Sequence, residues 1–275
     1  MKKTIVILLL LLTLVSCGVD SNKVKRIEVY GDVISNAMQL ESFRSIVVAG
    51  PVDLLLVQDG GSRASIETYE SIMEQFCIRV VDEVLYLYLK DSTAMSNIHF
   101  NDVADSNFTN ALISGSRLKW PGGKKILNIR LSFSELEEIQ VIGESDIRSE
   151  GSWKGESLSL DVAGALHLAA DLQVEEFDIE IAGAANLELR GSAGKFNIEC
   201  AGAGSVRAYD FLANAVNMDI AGVCTANIYA AQSLNINIAG LGNVRYKGNP
   251  PEVNIEKAGM GKIRQIEENE EELTL

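Results

Sequence analysis

The sequence predicts an all-β fold, a parallel β-solenoid with coils of about 19 residues, and three observations carry that prediction. An Ala-Gly pair recurs at Ala163-Gly164, Ala182-Gly183, Ala201-Gly202, Ala221-Gly222, Ala239-Gly240 and Ala258-Gly259, with successive glycines 19, 19, 20, 18 and 19 residues apart. Each pair follows a five-residue apolar/polar alternation, as in Leu158-Ser159-Leu160-Asp161-Val162 and Phe196-Asn197-Ile198-Glu199-Cys200. Turn-rich joints such as Gly191-Ser192-Ala193-Gly194 and Gly248-Asn249-Pro250-Pro251 separate one coil from the next.

Period two over five residues is the signature of a strand with one face buried and one in water. A second short strand follows each pair and places Ile147, Leu168, Leu187, Val206, Ala226, Val244 and Ile263 four residues past the glycine. A repeat this short cannot bury its own apolar face, but stacking on its neighbours can. At strand spacing, seven coils make a rod of roughly 30 Å. Each glycine then has two candidate jobs, a corner with positive φ or a bend packed tightly on its neighbours. Ile142-Gly143 reads as a degenerate copy, and Ala49-Gly50 as another.

Stacking turns sequence columns into surface ladders. Asn197, Asn217, Asn235 and Asn254 share one column, where amides can hydrogen-bond along the stack. The next holds Asp161, Glu180, Glu199, Asp219, Asn237 and Glu256, and opposed like charges need an offset. Arg148, Arg207, Arg245 and Arg264, five residues past the glycine, are candidates to supply it. The Gly-Gly-x-Gly-x-Asp repeat of calcium-binding rolls is missing, so no metal site is expected.

Residues 1 to 16 combine Lys2 and Lys3, an apolar run from Ile5 to Leu12, and Leu14-Val15-Ser16 before Cys17. The run is shorter than the ~20 residues of a membrane span. It resembles a bacterial lipoprotein signal, which makes Cys17 the lipidated first residue of the mature chain and its membrane anchor. Residues 17–42 read as an anchor linker, 43–266 as the solenoid domain, and 267–275 as an acidic tail that caps the last coil. Gly18 and Val19 bring no acidic export tag after Cys17, which points to the periplasmic face of the outer membrane.

The net charge of −14 becomes −16 once Lys2 and Lys3 are removed, which argues against nucleic acid and against anionic lipid headgroups as partners. Cys77, Cys200 and Cys224 remain, with no zinc-ligand spacing. Cys200 and Cys224 fall on inward positions and read as small buried hydrophobes, a bridge between them being the alternative.

Strands are expected at Ser45 to Ala49, Val52 to Val57, Ala64 to Thr68, Ile78 to Val81 and Val84 to Leu89, with a short helix over Glu70 to Phe76 and a tight turn at Asp82-Glu83. Residues 91–125 break the pattern and read as a long loop. It carries Arg117, Lys119, Trp120, Lys124 and Lys125, and Trp120 either stacks on a sugar or, the commoner use, pins the loop.

The Ala-Gly corners, the joint Val244-Arg245-Tyr246-Lys247-Gly248-Asn249-Pro250 and the opening Phe43-Arg44-Ser45-Ile46-Val47-Val48-Ala49-Gly50 resemble the head GIN domain family of putative auto-transporter adhesins. The resemblance spans about Phe43 to Ile266 and implies a single-stranded right-handed β-helix, often an envelope lipoprotein. It implies no catalytic residues and no cofactor. Many members carry Ser-Gly where this chain has Ala-Gly.

Acids in evenly spaced ladders do not converge as catalytic carboxylates must. His99 and His167 are the sole histidines, and no nucleophile, P-loop or metalloprotease motif is present. The expectation is a non-enzymatic envelope lipoprotein that presents a rigid surface to a glycan or protein ligand. The alternative is a periplasmic scaffold, and a polysaccharide-active enzyme is the third reading.

Overall fold

The structure is a computed structural model and describes residues 27–90 and 118–267. In chain order its first nine strands are β1 (Ile27–Glu28), β2 (Val33–Gln39), β3 (Ser45–Ala49), β4 (Val52–Gln58), β5 (Arg63–Tyr69), β6 (Phe76–Val81), β7 (Val84–Leu89), β8 (Leu118–Lys119) and β9 (Leu127–Phe133). The repeats follow as β10 (Glu138–Val141), β11 (Glu144–Val162), β12 (Ala165–Ile181), β13 (Ala184–Cys200), β14 (Ala203–Ile220) and β15 (Val223–Ile238). The last strands are β16 (Leu241–Lys247), β17 (Glu252–Lys257) and β18 (Met260–Gln265), and α1 (Glu70–Met73) is a single helical turn.

From β10 onward the chain is the parallel β-solenoid that the repeat predicts, each coil pairing in register with the next. One difference is that a coil is not two short strands and a joint. The stretch between Ala-Gly corners is one bent strand of 16 to 19 residues in β11 to β15. Gly191 to Ala193, expected as a turn, stay in the ladder opposite Leu172 to Val174. Gly191 takes φ 106°, which bends the strand without ending it. Only at Gly248-Asn249-Pro250-Pro251 does the joint separate two strands, where prolines cannot donate to the ladder.

The corners decide between the two jobs of the glycine. None of the pair glycines from Gly164 to Gly259 has positive φ, and a Cβ on each would overlap the carbonyl oxygen of the equivalent glycine one coil back. Gly143 also packs on Gly50, but a Cβ on it would meet the Gly50 backbone nitrogen first, and Gly50 itself takes φ 154°, so the two degenerate copies stack with a different geometry. Each Ala-Gly pair from Ala163-Gly164 to Ala258-Gly259 also donates two backbone N–H groups to one carbonyl of the coil beneath, as Ala201 and Gly202 do to Ile181 at 2.9 and 2.8 Å. Backbone contact this close leaves no room for a side chain.

Inward residues fill the bore. Phe177 and Phe196 stack at 5.7 Å, Phe211 meets Phe196 edge-on at 5.1 Å, and all three are fully buried. Each contributes about 1.5–3 kcal/mol by leaving water.

The first residues close one end of the rod, and they do so out of chain order. β3 and β4 form a coil whose strands pair with β10 and β11 on one side and with β7 and β9 on the other. Beyond that outer coil the pairing turns antiparallel, with β6 on β7, β5 on β9 and β2 on β5. An antiparallel edge ends the parallel ladder. The segment read as an anchor linker therefore supplies β2, an outer strand of this cap. Asp82 and Glu83, with φ of 50° and 62°, make the tight turn between β6 and β7. At the other end β17 leaves Val253 and Ile255 exposed, and the tail from residue 268 lies outside the described residues.

Candidate functional site

Unequal coil lengths concentrate in one place. Relative to β12, the extra residues of β11 fall between Arg148 and Ser152, and those of β14 fall between Ala208 and Leu212 relative to β15. Bulges bend a strand and re-aim its side chains. Here they open a groove of about 610 Å³ along one outward face, lined among others by Ser152, Asp171, Arg190, Arg207, Tyr209 and Asn227.

The floor of the groove is a register of alternating charge, Asp171 opposite Arg190 and Arg190 opposite Asp210. The Ser149 hydroxyl accepts from the Asp171 backbone N–H at 3.0 Å, holding the first bulge open. Arg207 is fixed by Glu188 at 2.7 Å and Asn186 at 3.3 Å. Lys247 sits 4.7 Å from the centre of the Tyr209 ring. At the two ends of the groove, Ser152 Oγ and Asn227 Oδ1 are buried without a hydrogen-bond partner among the described residues. Buried polar atoms are nearly always satisfied, so these two leave unmet hydrogen-bonding capacity in the walls of the groove. The arrangement can bind a polar ligand. It does not aim a nucleophile and a base at one point.

The expected residues fall elsewhere. The asparagine ladder forms, with Asn197 donating to Asp178 at 2.6 Å, Asn217 to Asn197 at 2.7 Å and Asn235 to Asn217 at 2.9 Å. The acid column also stacks in register, but the arginines do not offset it: they share a separate column in which Arg207 stacks between Glu188 and Asn227. Arg148 pairs with Asp146 at 2.9 Å instead. Burial first, then Glu138, Glu180 and Asp178, push the Asp161 carboxyl above its ordinary range. Among the described residues no cluster could hold a metal ion.

Trp120 is half-buried against the core and 6.1 Å from the Tyr69 ring, packed as the pinning role expects, while residues 91–117 of the loop lie outside the described residues. Lys119 pairs with Glu28 at 2.9 Å and Lys125 with Asp53 at 2.5 Å, so these cations tie the cap together. Cys200 and Cys224 are buried free thiols, not a bridge. A hydrogen bond from Cys224 lowers the Cys200 thiol and the same bond, with burial, raises Cys224. His167 lies within 3.2 Å of Asn186 on an outward column. Cys17, His99 and Arg117 lie outside the described residues. Sequence reasoning missed the groove, although the spacings of 21, 20 and 18 residues among coils of 19 were its visible trace.

Solved structures share this architecture. A putative adhesin from Bacteroides fragilis superposes with a TM-score of 0.71 at 21% identity, covering 87% of this chain and 100% of its own. A putative lipid binding protein from Parabacteroides distasonis gives 0.64 at 20%, covering 88% and 100%. A putative adhesin from Parabacteroides merdae gives 0.61 at 17%, covering 88% and 99%. At these identities the likeness is one of fold. No curated protein matches the chain. The profile described as "Putative auto-transporter adhesin, head GIN domain" matches residues 42–250, and with its corners, solenoid and cap the chain belongs to the head GIN domain family.

Proposed function

We propose that this chain is a non-enzymatic, adhesin-like binding module of the cell envelope, lipid-anchored to the outer membrane through Cys17, that holds its ligand in the groove between Ser152 and Asn227. The observation that carries the reading is the pair of buried, unpartnered polar atoms at the ends of a groove built from bulges. The family description and two of the similar structures point to adhesin-like use at the envelope or surface.

The test is a screen of the purified protein against immobilised glycans and matrix proteins, repeated with Glu188 and Arg190 both changed to alanine. Both side chains are exposed, so the fold should survive. The groove reading expects at least about tenfold weaker binding from the lost charge-assisted contacts. It fails if the protein binds nothing, or if the variant binds as well as the parent. For the anchor, Cys17→Ala should leave the protein folded and absent from the membrane fraction. Protease digestion of intact against lysed cells then tells the surface from the periplasm.

A further inference from the structure

The last three coils present a grid of nine outward residues. Strand periodicity puts residues i, i+2 and i+4 on one face, and the register stacks Val223, Leu241 and Met260 in one row. Thr225, Asn243 and Lys262 form the second row, and Asn227, Arg245 and Arg264 the third. The first row is apolar and exposed, at 54%, 38% and 71%. The middle row is polar. The third stacks two arginines on adjacent strands, and neither has a carboxylate partner among the described residues.

Each edge row is costly as it stands. Opposed like charges destabilise a sheet, and three large apolar side chains in a row are an exposed patch. The same columns earlier in the rod avoid both costs: the first holds Ala165, Ala184 and Ala203, and the third sets Arg207 against Glu188. The change is confined to the C-terminal end. Val253 and Ile255, in register with the buried Leu234 and Ile236, are exposed at the end of the bore and are not part of this outward face.

We propose that this face docks on an anionic lipid surface, the row Val223, Leu241 and Met260 entering the headgroup boundary while Arg245, Lys262 and Arg264 lie over lipid phosphates. Buried apolar area together with cations over anionic headgroups is what holds amphipathic helices at a membrane interface, and this sheet face offers both. The mature net charge of −16, which on its own argues against anionic headgroups, is spread over the whole chain, and screening beyond about 8 Å leaves the three cations of this face to act locally. A lipid on Cys17 and this face near residue 260 would lay the rod along the membrane. The face adjoins the groove at Asn227, but none of the six residues assigned to lipid lines the groove, so the contact does not depend on what the groove binds.

The experiment is vesicle sedimentation with the chain from residue 18 on, which keeps every described residue but removes the lipid site. Phosphatidylcholine vesicles containing about a quarter phosphatidylglycerol should carry the protein down, and pure phosphatidylcholine vesicles should not. Changing Arg245, Lys262 and Arg264 together to glutamine should weaken binding about a hundredfold, from the usual contribution of each basic residue near such a surface. Leu241→Ser with Met260→Ser should weaken it about tenfold or more. Glu188→Ala with Arg190→Ala, the groove variant, should bind vesicles as the parent does. The proposal is overturned if the parent ignores anionic vesicles, or if neither grid variant weakens sedimentation. Capture of polygalacturonate in place of vesicles, insensitive to the serine changes, would also overturn it and make the face a site for acidic saccharide.

Discussion

Gly202→Ala tests whether close backbone contact, not turn conformation, fixes the corners. The added methyl would overlap the Gly183 carbonyl oxygen, which cannot retreat because it accepts the Ala203 N–H at 2.9 Å. The corner must lift instead, breaking that bond and the one from Gly202 N–H to Ile181 at 2.8 Å. Two backbone hydrogen bonds are worth about 2 kcal/mol, and overpacking adds roughly another 2. The expected cost of about 4 kcal/mol lowers Tm by about 8–16 °C for a domain of this size. Gly155→Ala is the matched control, since its Cβ meets nothing closer than 3.9 Å and its φ is not positive. That change should be neutral or stabilise by up to about 1 kcal/mol. Both are read by thermal melts followed by far-ultraviolet circular dichroism, provided unfolding is cooperative. Equal melting temperatures for the two variants would refute the stacking argument.

Three further outcomes follow from the ladders and the core. Asn217→Ala removes hydrogen bonds to Asn197 and from Asn235 and should cost about 1 kcal/mol in denaturant melts, whereas a change within experimental error would mean the ladder adds nothing. Asp161→Asn should stabilise at neutral pH by about 0.2–1 kcal/mol, the usual size of an opposed like-charge pair. Because the folded-state pKa of Asp161 is raised, its penalty is full above that folded value and fades as pH falls toward the unfolded one, so the gain should shrink in acid melts. In the chain from residue 18 on, a thiol reagent should modify half-buried Cys77 first, with Cys200 and Cys224 reacting only on unfolding; three fast thiols would contradict the packed bore.

What was legible in the sequence is what repeats. Period-two alternation before each Ala-Gly pair fixed which side chains enter the bore, and Phe177, Ile198 and Met218 lie there. The asparagine column could be read because a strand register of one coil per repeat leaves little choice of partner. The role of the glycine could not, since both jobs need the same residue and only the stacking distance separates them. The cap was hidden for a different reason: alternating strands such as Arg63–Tyr69 look alike whether their partner runs parallel or antiparallel. The arginines were read as an offset for the acids because spacing along the chain shows that they recur but not which face they occupy. For the groove, the unequal spacings were visible, but where along a coil an extra residue is absorbed depends on backbone bulging that no local pattern encodes.

The coil of β3 and β4 has a bearing on how the molecule comes to exist. In the repeat half, every pairing joins residues about one coil apart, so folding there can spread from any nucleus by short loops. The coil from Ser45 to Gln58 has no such route. Its neighbours are Val84 to Tyr88 and Asn128 to Phe133 on one side and Glu138 to Val141 and Ser145 to Glu150 on the other, so Ser45 must find Glu138 across 93 residues of chain. A chain emerging N-terminus first therefore presents the apolar strands Ile46–Val48 and Leu54–Leu56 well before anything exists to cover them. The long-range closure is the slow step, and the segment most exposed to misassembly is the one nearest the start.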